Sequence, residues 1–167
     1  MKGCYHKRNV TLSGGKGMNI LFLLKPKNTV SYIYDDYTLR QGLEKLRAQG
    51  FTASPVITHE GYYAGTVNEG DFLWYMLTPE DGNFNHMDLK QLEENYVRDI
   101  IRDNWNQPVT ISATVEDLLE RVLNQNFVPV VDDRNLFVGI ITRKDVIQYF
   151  RDRILDLKEQ VKKIESN

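Results

Sequence analysis

The chain has 167 residues, of which 41% are hydrophobic and 26% charged, and its formal net charge is −2. This length can bury a core without metals or disulfides, and the composition is that of a folded protein outside the membrane. Because the net charge is weakly negative and no basic stripe stands out, nucleic acid is excluded as the expected partner. The single cysteine, Cys4, excludes an internal disulfide and a thiolate metal cluster, so we expect a reducing, cytoplasmic location.

Residues 1–17 differ from the rest of the chain. They are basic and glycine-bearing and have no apolar periodicity, which predicts a disordered leader or a cloning remnant. A further hypothesis is that Met18 is the natural start and that residues 13–16 are translated from a ribosome-binding region. The apolar run 18–24 stops at Lys25, is too short to span a bilayer and is followed by no cleavage site. Neither a membrane segment nor an export signal is therefore expected.

The remainder contains an internal repeat, which indicates a duplicated structural unit. Phe51 aligns with Phe127 and Pro55 with Pro129, and each copy continues into a similar run, 65–71 and 139–145. We predict repeat 1 over residues 18–77, a linker with a helix over 78–104, repeat 2 over 105–152, and a C-terminal helix extension over 153–167.

Hydrophobic periodicity predicts the same elements in both copies. In the first copy these are a strand near Val30 to Tyr34, a capped helix from Thr38 to Gln49, strands Pro55 to Thr58 and Ala64 to Asn68 around a turn at 59–61, and a closing helix. In the second copy they are a strand from Val109 to Ser112, a helix from Thr114 to Asn124, strands Pro129 to Asp132 and Phe137 to Thr142 around a turn at 133–135, and a closing helix. The β-α-β-β-α order predicts an α+β fold with a small sheet and helices on one face of each half, so the halves should pack on each other.

The segment between the copies begins with a turn-rich stretch, 78–83. A helix leading into the second copy is predicted from apolar spacing at Leu89, Leu92, Val97, Ile100 and Ile101. We interpret the aromatic residues of this region as apolar filling between the halves rather than as a ligand rim. These residues are Trp74, Phe84 and Trp105.

The second copy carries the more informative motif. The run Phe127–Asp132, followed by Leu136–Asp145, resembles the CBS domain family, whose members occur as tandem pairs called Bateman modules. The resemblance covers about residues 27–152 and is to the small, stand-alone bacterial type. It implies two CBS repeats packed pseudo-symmetrically, no required cofactor, and a regulatory adenine nucleotide as ligand: AMP, ATP or cyclic di-AMP. It also implies a homodimer and a client protein that the sequence does not identify.

The end of the second motif has its own chemical logic. Gly139 lets backbone or ligand approach closely, and Thr142 lies where a strand meets a helix N-terminus, which attracts phosphate. Arg143 can add a charge-assisted contact, and the Asp145 carboxylate can accept two hydrogen bonds from a ribose diol. Thr-x-x-Asp before an apolar helix is also a capping arrangement, and the two roles are compatible.

The first copy departs from this pattern. Asn68 replaces the hydroxyl and Glu69 replaces the cation and would repel phosphate, although Asp71 is kept, so one good and one weak site are expected. The resemblance implies that the base above Asp145 meets the opposite half, at Ile33, Tyr34, Pro55, Val56 and Ile57. The possible second site would likewise include Ile111, Pro129 and Val130. For the aliphatic side chains a core position is the alternative, and Tyr34 could stack on the base.

No catalytic or metal-binding residue is predicted. The histidines, His6, His59 and His86, fall in the leader, a turn and the linker, and no phosphate loop or zinc motif is present. The C-terminal residues Ile147, Phe150, Ile154, Leu157, Val161 and Ile164 follow a coiled-coil-like spacing. This helix could pack on its own domain, on a second copy or on a client. The alternative to a nucleotide sensor is therefore a ligand-independent homodimeric interaction module.

Overall fold

The computed structural model describes residues 19–77 and 89–165. The strands in these ranges are β1 (Lys25–Pro26), β2 (Ile33–Tyr34), β3 (Ala53–Ile57), β4 (Tyr63–Asn68), β5 (Val109–Thr110), β6 (Phe127–Val131) and β7 (Phe137–Thr142). The helices are α1 (Leu39–Gln49), α2 (Glu69–Leu77), α3 (Leu89–Glu94), α4 (Val115–Asn124) and α5 (Arg143–Glu165), with short 3₁₀-helices at Ile20–Leu23, Lys27–Thr29 and Val97–Ile100. The predicted α+β fold with two β-α-β-β-α repeats and a long C-terminal helix is confirmed.

Helices α1 and α4 begin where the sequence predicts. Thr38 and Thr114 are N-caps, and each accepts a hydrogen bond from the backbone N–H three residues later, at Gln41 and Asp117. The side chains of Gln41 and Asp117 in turn accept a hydrogen bond from the backbone N–H of the cap residue, which completes a capping box. Both helices then bury one apolar face in the core of their half.

The first strand of each half is shorter than predicted. The predicted strand from Val30 to Tyr34 is reduced to β2, because the 3₁₀-helix before it ends in a bond from the Val30 N–H to the Lys27 carbonyl, at 3.2 Å. The predicted strand from Val109 to Ser112 is reduced to β5, because the Ala113 N–H closes a turn on the Thr110 carbonyl at 3.0 Å.

The predicted linker helix is interrupted. Helix α3 ends at Glu94 and the 3₁₀-helix Val97–Ile100 follows, because the chain between them pairs with the start of α1. The Asn95 carbonyl accepts a 2.9 Å bond from the Leu39 N–H, and Tyr96 forms a β-bridge with Thr38. The predicted turn at 78–83 and Phe84 lie outside the described residues.

The strands form two sheets, β2-β3-β4 and β1-β7-β6-β5. Strand β1 is an addition that the sequence did not predict. It pairs antiparallel with β7, with Lys25 opposite Ile140 and Pro26 opposite Gly139. Residues 25–26, although they lie in the range predicted for repeat 1, therefore form an edge strand of the second half's sheet.

The apolar cores show the same exchange of segments between the halves. Ile20, fully buried, belongs to the core of the second half with Leu118 and Ile141, although it lies within residues 18–77, the range predicted for repeat 1. Val97 and Ile100, from the linker, belong to the core of the first half. The two connecting segments, which carry Ile20 and Val97, thus tie the halves together. The predicted domain bounds divide the chain by sequence position and do not coincide with these cores.

The halves pack on each other through their β-hairpins. A third buried cluster, formed by Ile57, Tyr63, Val131 and Phe137, lies between them. Backbone bonds cross the same interface: the Tyr63 N–H donates to the Asn135 carbonyl at 3.1 Å, and the Phe137 N–H donates to the Gly61 carbonyl at 2.8 Å. Because Tyr63 and Phe137 are equivalent in the repeat, this contact is pseudo-symmetric.

Candidate functional site

The closing helix of each half begins with the cap that the motif allows. In the second half the Asp145 N–H donates to Thr142 Oγ1 at 3.2 Å, and the Thr142 hydroxyl donates to Asp145 Oδ2 at 2.5 Å. In the first half the Asn68 N–H donates to Asp71 Oδ2 at 2.7 Å, and the Asp71 N–H donates to Asn68 Oδ1 at 3.0 Å. The capping role of the motif is confirmed, and its ligand role stays a prediction.

Each of these aspartates also contacts a cation that the sequence did not indicate. Lys25 Nζ lies 2.8 Å from Asp145 Oδ2, and Arg102 Nε lies 2.8 Å from Asp71 Oδ1. Lys25 and Arg102 have equivalent positions, because each follows by two residues a 3₁₀-helix whose first residue, Ile20 or Val97, is buried. Each connecting segment therefore places a cation next to the aspartate of the half on which it packs.

The two aspartates differ in whether their carboxylate oxygens can accept a further hydrogen bond. Asp71 is only 7% exposed, and Arg102 and the Asn68 N–H occupy its two carboxylate oxygens. Asp145 is 23% exposed, and Lys25 and Thr142 share its Oδ2. Within the part of the chain that the structure describes, Oδ1 of Asp145 accepts no hydrogen bond. Asp145 can thus accept a further donor from solvent. We call Asp71 saturated, because it is largely buried and each of its oxygens already accepts a bond.

The Asp145 carboxyl is held in the ionised form, which accepts hydrogen bonds. Burial by itself would raise the pKa of the Asp145 carboxyl. The hydrogen bonds from Lys25 and Thr142, together with the Lys25 charge, outweigh burial and hold this pKa below its ordinary value. The group is therefore an ionised carboxylate at neutral pH.

The glycine before each site makes room for a connecting segment. A Cβ at Gly139 would lie 2.1 Å from the Lys25 carbonyl oxygen, and one at Gly65 would lie 2.4 Å from Ile101 Cγ2. Of the two uses that the sequence allowed for Gly139, close approach of backbone is the one found. The absence of a side chain at Gly139 lets β1 lie against β7. This pairing places Lys25, on β1, next to Asp145.

The side chain of Arg143 does not point to the site at Thr142 and Asp145, where its position in the motif predicted a charge-assisted contact. Its Nε donates to the Gln125 carbonyl at 3.1 Å, and its backbone N–H donates to the Asn126 carbonyl at 2.9 Å. The side chain lines a surface cavity of about 440 Å³ together with Lys144 and Arg151. The cation in contact with Asp145 is Lys25.

The residues expected around the base lie in or near the hairpin interface. Ile33, Val56 and Ile57 are fully buried, and Pro55 is buried as well, so they can present only backbone groups to a ligand. Tyr34, on β2, and Ile140, on the strand that ends at Thr142, both pack against the interface cluster. In the other half Pro129 and Val130 are buried, and Ile111 is half-buried.

The Tyr34 ring is already stacked. The imidazole of His59 lies parallel to it with ring centroids 4.2 Å apart, and His59 Nε2 is 3.0 Å from Asp36 Oδ2. Stacking of a base on this face of Tyr34 would therefore require the turn that carries His59 to move. His6 and His86 lie outside the described residues.

A cavity of about 390 Å³ opens beside the first-half site. It is lined by Gly65, Arg102 and Trp105, with the Arg102 guanidinium 3.9 Å from the Trp105 ring centre. Trp105 is thus a cavity wall. The interpretation of Trp74 as apolar filling is wrong, because it lies 66% exposed on α2.

A buried polar network underlies this cavity. The Tyr63 hydroxyl donates to the Asn106 carbonyl at 3.0 Å and lies 2.8 Å from Thr66 Oγ1, which also accepts a 2.9 Å bond from Asn106 Nδ2. Burial raises the pKa of Tyr63 to about 12. The equivalent positions of the second half are Phe137 and Ile140, so the network makes the two halves chemically different.

This network predicts an alkaline limit to stability. Unfolded Tyr63 ionises near pH 10, whereas the folded phenol stays protonated until about pH 12. The corresponding stability is complete below pH 10 and is lost between these values, by up to about 2.7 kcal/mol. Tyr63→Phe should cost about 1–2 kcal/mol at neutral pH and remove this part of the alkaline loss in urea unfolding. Exposed Tyr62→Phe is the control, and an unchanged pH slope in Tyr63→Phe would contradict the assignment.

Neither a metal site nor a membrane span is found in the described ranges. In residues 19–77 and 89–165 no three His, Cys, Asp or Glu side chains are grouped so as to hold a metal ion. Over the same ranges no helix has the length and apolar character needed to cross a bilayer.

These features define a class: a tandem-repeat module in which each half closes on a capped helix whose aspartate contacts a cation from a crossing segment. The CBS domain family model matches residues 97–152. A CBS domain-containing protein of Dictyostelium discoideum is 31% identical over 116 residues, which are 67% of this chain and 78% of that protein. The chain belongs to the CBS domain family, as its second motif indicated.

Two further comparisons extend over most of the chain. Cyclic di-AMP receptor B of Bacillus subtilis is 26% identical over 130 residues, covering 78% of this chain and 84% of that protein. The crystal structure of CbpB in complex with c-di-AMP superposes with a TM-score of 0.75 at 24% identity, covering 86% of this chain and 91% of that one. The second likeness establishes the shared fold.

Proposed function

We propose that the chain is a non-catalytic regulatory module that binds an adenine nucleotide between its two halves and relays occupancy to a partner protein. The observation that carries the proposal is the ionised Asp145 carboxylate, with one oxygen open, at the N-terminus of α5 beside Lys25. The name of the Bacillus subtilis relative, a cyclic di-AMP receptor, supports this ligand class.

The proposed ligand contacts follow from the groups available. A ribose diol would donate to Asp145, and phosphate would be held at the positive N-terminal end of α5 and by Lys25, released from its ion pair. Thr142 and Gly139 shape this end of the site, and Arg143 is placed to meet a phosphate only if its bond to Gln125 opens. The base would lie toward Tyr34 and the backbone of β2 and β3.

The first-half site is the weaker one in this proposal. Asp71 is saturated by Arg102 and Asn68, and Glu69 adds a negative charge at the start of α2. The strand residues on its far side, Ile111, Pro129 and Val130, offer mainly backbone. We therefore expect one nucleotide per chain.

The partners of the module are proposed as a second copy and an unidentified client. Exposed leucines lie on the helices of both halves, Leu43 and Leu73 in the first and Leu119 and Leu123 in the second. Apolar positions exposed on both halves suit a homodimer, and a dimer that needs no ligand is the alternative function. The cytoplasmic location rests on the single cysteine.

Calorimetric titration with AMP, ATP and cyclic di-AMP tests the proposal, with GMP and cyclic di-GMP as controls for the base. We expect micromolar or tighter binding of at least one adenine nucleotide and a loss of at least tenfold with the guanine analogue. Silence with all three adenine nucleotides would reject the sensor and favour the ligand-independent homodimer.

A further inference from the structure

The C-terminal part of α5 extends beyond the body of the protein. Phe150 packs against the second-half core, but every side chain from Ile154 to Ile164 is exposed. Five of these side chains are large and apolar and are 48–76% exposed. Leu155 lies off the row that the other four form, and we name those four the C-terminal seam. The seam consists of Ile154, Leu157, Val161 and Ile164.

The spacing of the seam is that of a coiled coil. Its members follow one another at three, four and three residues, so they form one narrow row along the helix. Branched Ile154 and Val161 alternate with Leu157, the order in which coiled-coil positions a and d are filled in two-stranded pairs. A row this narrow fits a partner helix better than a membrane, which takes a broad apolar face.

The charges around the seam are segregated. Arg151, Arg153 and Lys158 lie beside the seam, at the e and g positions, whereas the acids of this stretch lie on the opposite face, at Asp152, Asp156 and Glu159. Arg151 contacts its neighbour Asp152 at 3.0 Å. Within the described residues Arg153 and Lys158 form no ion pair. The helix surface is therefore apolar along the seam and basic at its edges as far as Ile164.

The same pattern continues toward the N-terminus of α5. Ile147, seven residues before Ile154, is 61% exposed. It lines the 440 Å³ cavity whose other walls include Arg143, Lys144 and Arg151. The apolar row flanked by cations thus runs from the cavity to the end of the helix, over about 26 Å.

We infer that this surface docks an amphipathic helix of a partner protein that carries acidic residues on both sides of its apolar seam. A second copy fits less well, because two copies bring like charges together. In a parallel pair Arg153 would face Lys158 of the other chain. An acidic helix reverses the sign of every such contact. The inference deepens the proposed function by naming the chemistry of the client, and it does not require nucleotide to be bound.

Two synthetic peptides of three heptads test the inference. Both carry Ile and Leu along the seam; one has Glu at all flanking positions and the other has Lys, so each repels itself and stays monomeric. With the full chain and no nucleotide, fluorescence anisotropy should show the Glu peptide binding at least tenfold more tightly than the Lys peptide. The charge-reversed variant Arg153→Glu/Lys158→Glu should invert this preference. Because these side chains are not in the core, far-UV circular dichroism should be unchanged.

A matched pair of variants assigns the site. Leu157→Gln/Val161→Gln should weaken Glu-peptide binding at least tenfold, whereas Leu123→Gln, also exposed but on α4, should leave it unchanged. Equal binding of both peptides, or of neither, overturns the inference. So does a dimer that Leu157→Gln/Val161→Gln dissociates in sedimentation equilibrium, or seam-dependent binding to vesicles with 30% phosphatidylglycerol. Each of these results leaves the nucleotide titration to decide the proposed function independently.

Discussion

Replacing Asp145 with alanine is expected to weaken adenine-nucleotide binding at least 100-fold. Two hydrogen bonds from a ribose diol to an ionised carboxylate contribute about 1.5–3 kcal/mol each, so their combined loss exceeds two decades in affinity. The open Oδ1 and the exposure of 23% make Asp145 the acceptor for these bonds. Calorimetric titration of the variant with the tightest of the three nucleotides measures the effect.

The control is the equivalent residue of the first half. Asp71→Ala removes a similar helix cap and frees a similar cation, Arg102, so it should cost a similar stability of about 1 kcal/mol. Because Asp71 is saturated, its loss should change nucleotide affinity less than about threefold on the same scale. Asp145→Asn separates the two roles in the second half, since it keeps an acceptor for the cap and loses the charge. A larger loss of affinity in Asp71→Ala than in Asp145→Ala would place the nucleotide at the first-half site and contradict the proposed site.

Gly139→Ala is expected to lower the free energy of unfolding by at least about 3 kcal/mol. The new Cβ would lie 2.1 Å from the Lys25 carbonyl oxygen, a backbone atom of β1 that cannot rotate away. Overpacking of this kind usually costs about 1–3 kcal/mol, and the upper end applies because an entire edge strand must move. Urea unfolding measures the loss, and a change below 1 kcal/mol would show that β1 is not held in this position.

The first half supplies the matched test. Gly65→Ala meets a side-chain atom instead, Ile101 Cγ2 at 2.4 Å, so Ile101→Ala should relieve the clash. The double variant should recover at least about 1 kcal/mol relative to the sum of the single changes. Lys25→Ala should give Gly139→Ala no such recovery, because the clashing atom belongs to the backbone. Recovery in the second half would refute the backbone explanation.

The elements that the sequence predicted are those with a local signal. Apolar periodicity and a Thr cap followed by a matching third residue defined α1 and α4, and the repeated hairpins followed from alternation and turn residues. The Thr142–Asp145 motif was found in the same way, since capping and ligand binding use the same four residues. Local patterns thus predicted the fold class and the cap at Thr142 and Asp145, and the ligand role of that cap stays a prediction.

The missed features depend on contacts between distant parts of the chain. Strand β1 is two residues long and pairs with β7 more than 110 residues away, so no periodicity could mark it. Lys25 and Arg102 come from such segments, so the sequence indicated neither of them as the cation beside its aspartate. The one available signal was that both cations follow apolar segments at equivalent distances from their repeats. The Tyr63 network escaped detection because its members come from β4 and the linker.

Hydrogen exchange with and without saturating nucleotide tests most directly whether occupancy of the cleft between the halves is sensed and relayed. We predict slower exchange in residues 24–27 and 139–147, which hold the proposed site, and altered exchange in the C-terminal helix over 153–165. Asp145→Ala under the same conditions should abolish both changes. Unchanged exchange around Thr142 and Asp145 would contradict the site, and a change confined to the site, with the C-terminal helix unaffected, would contradict the relay.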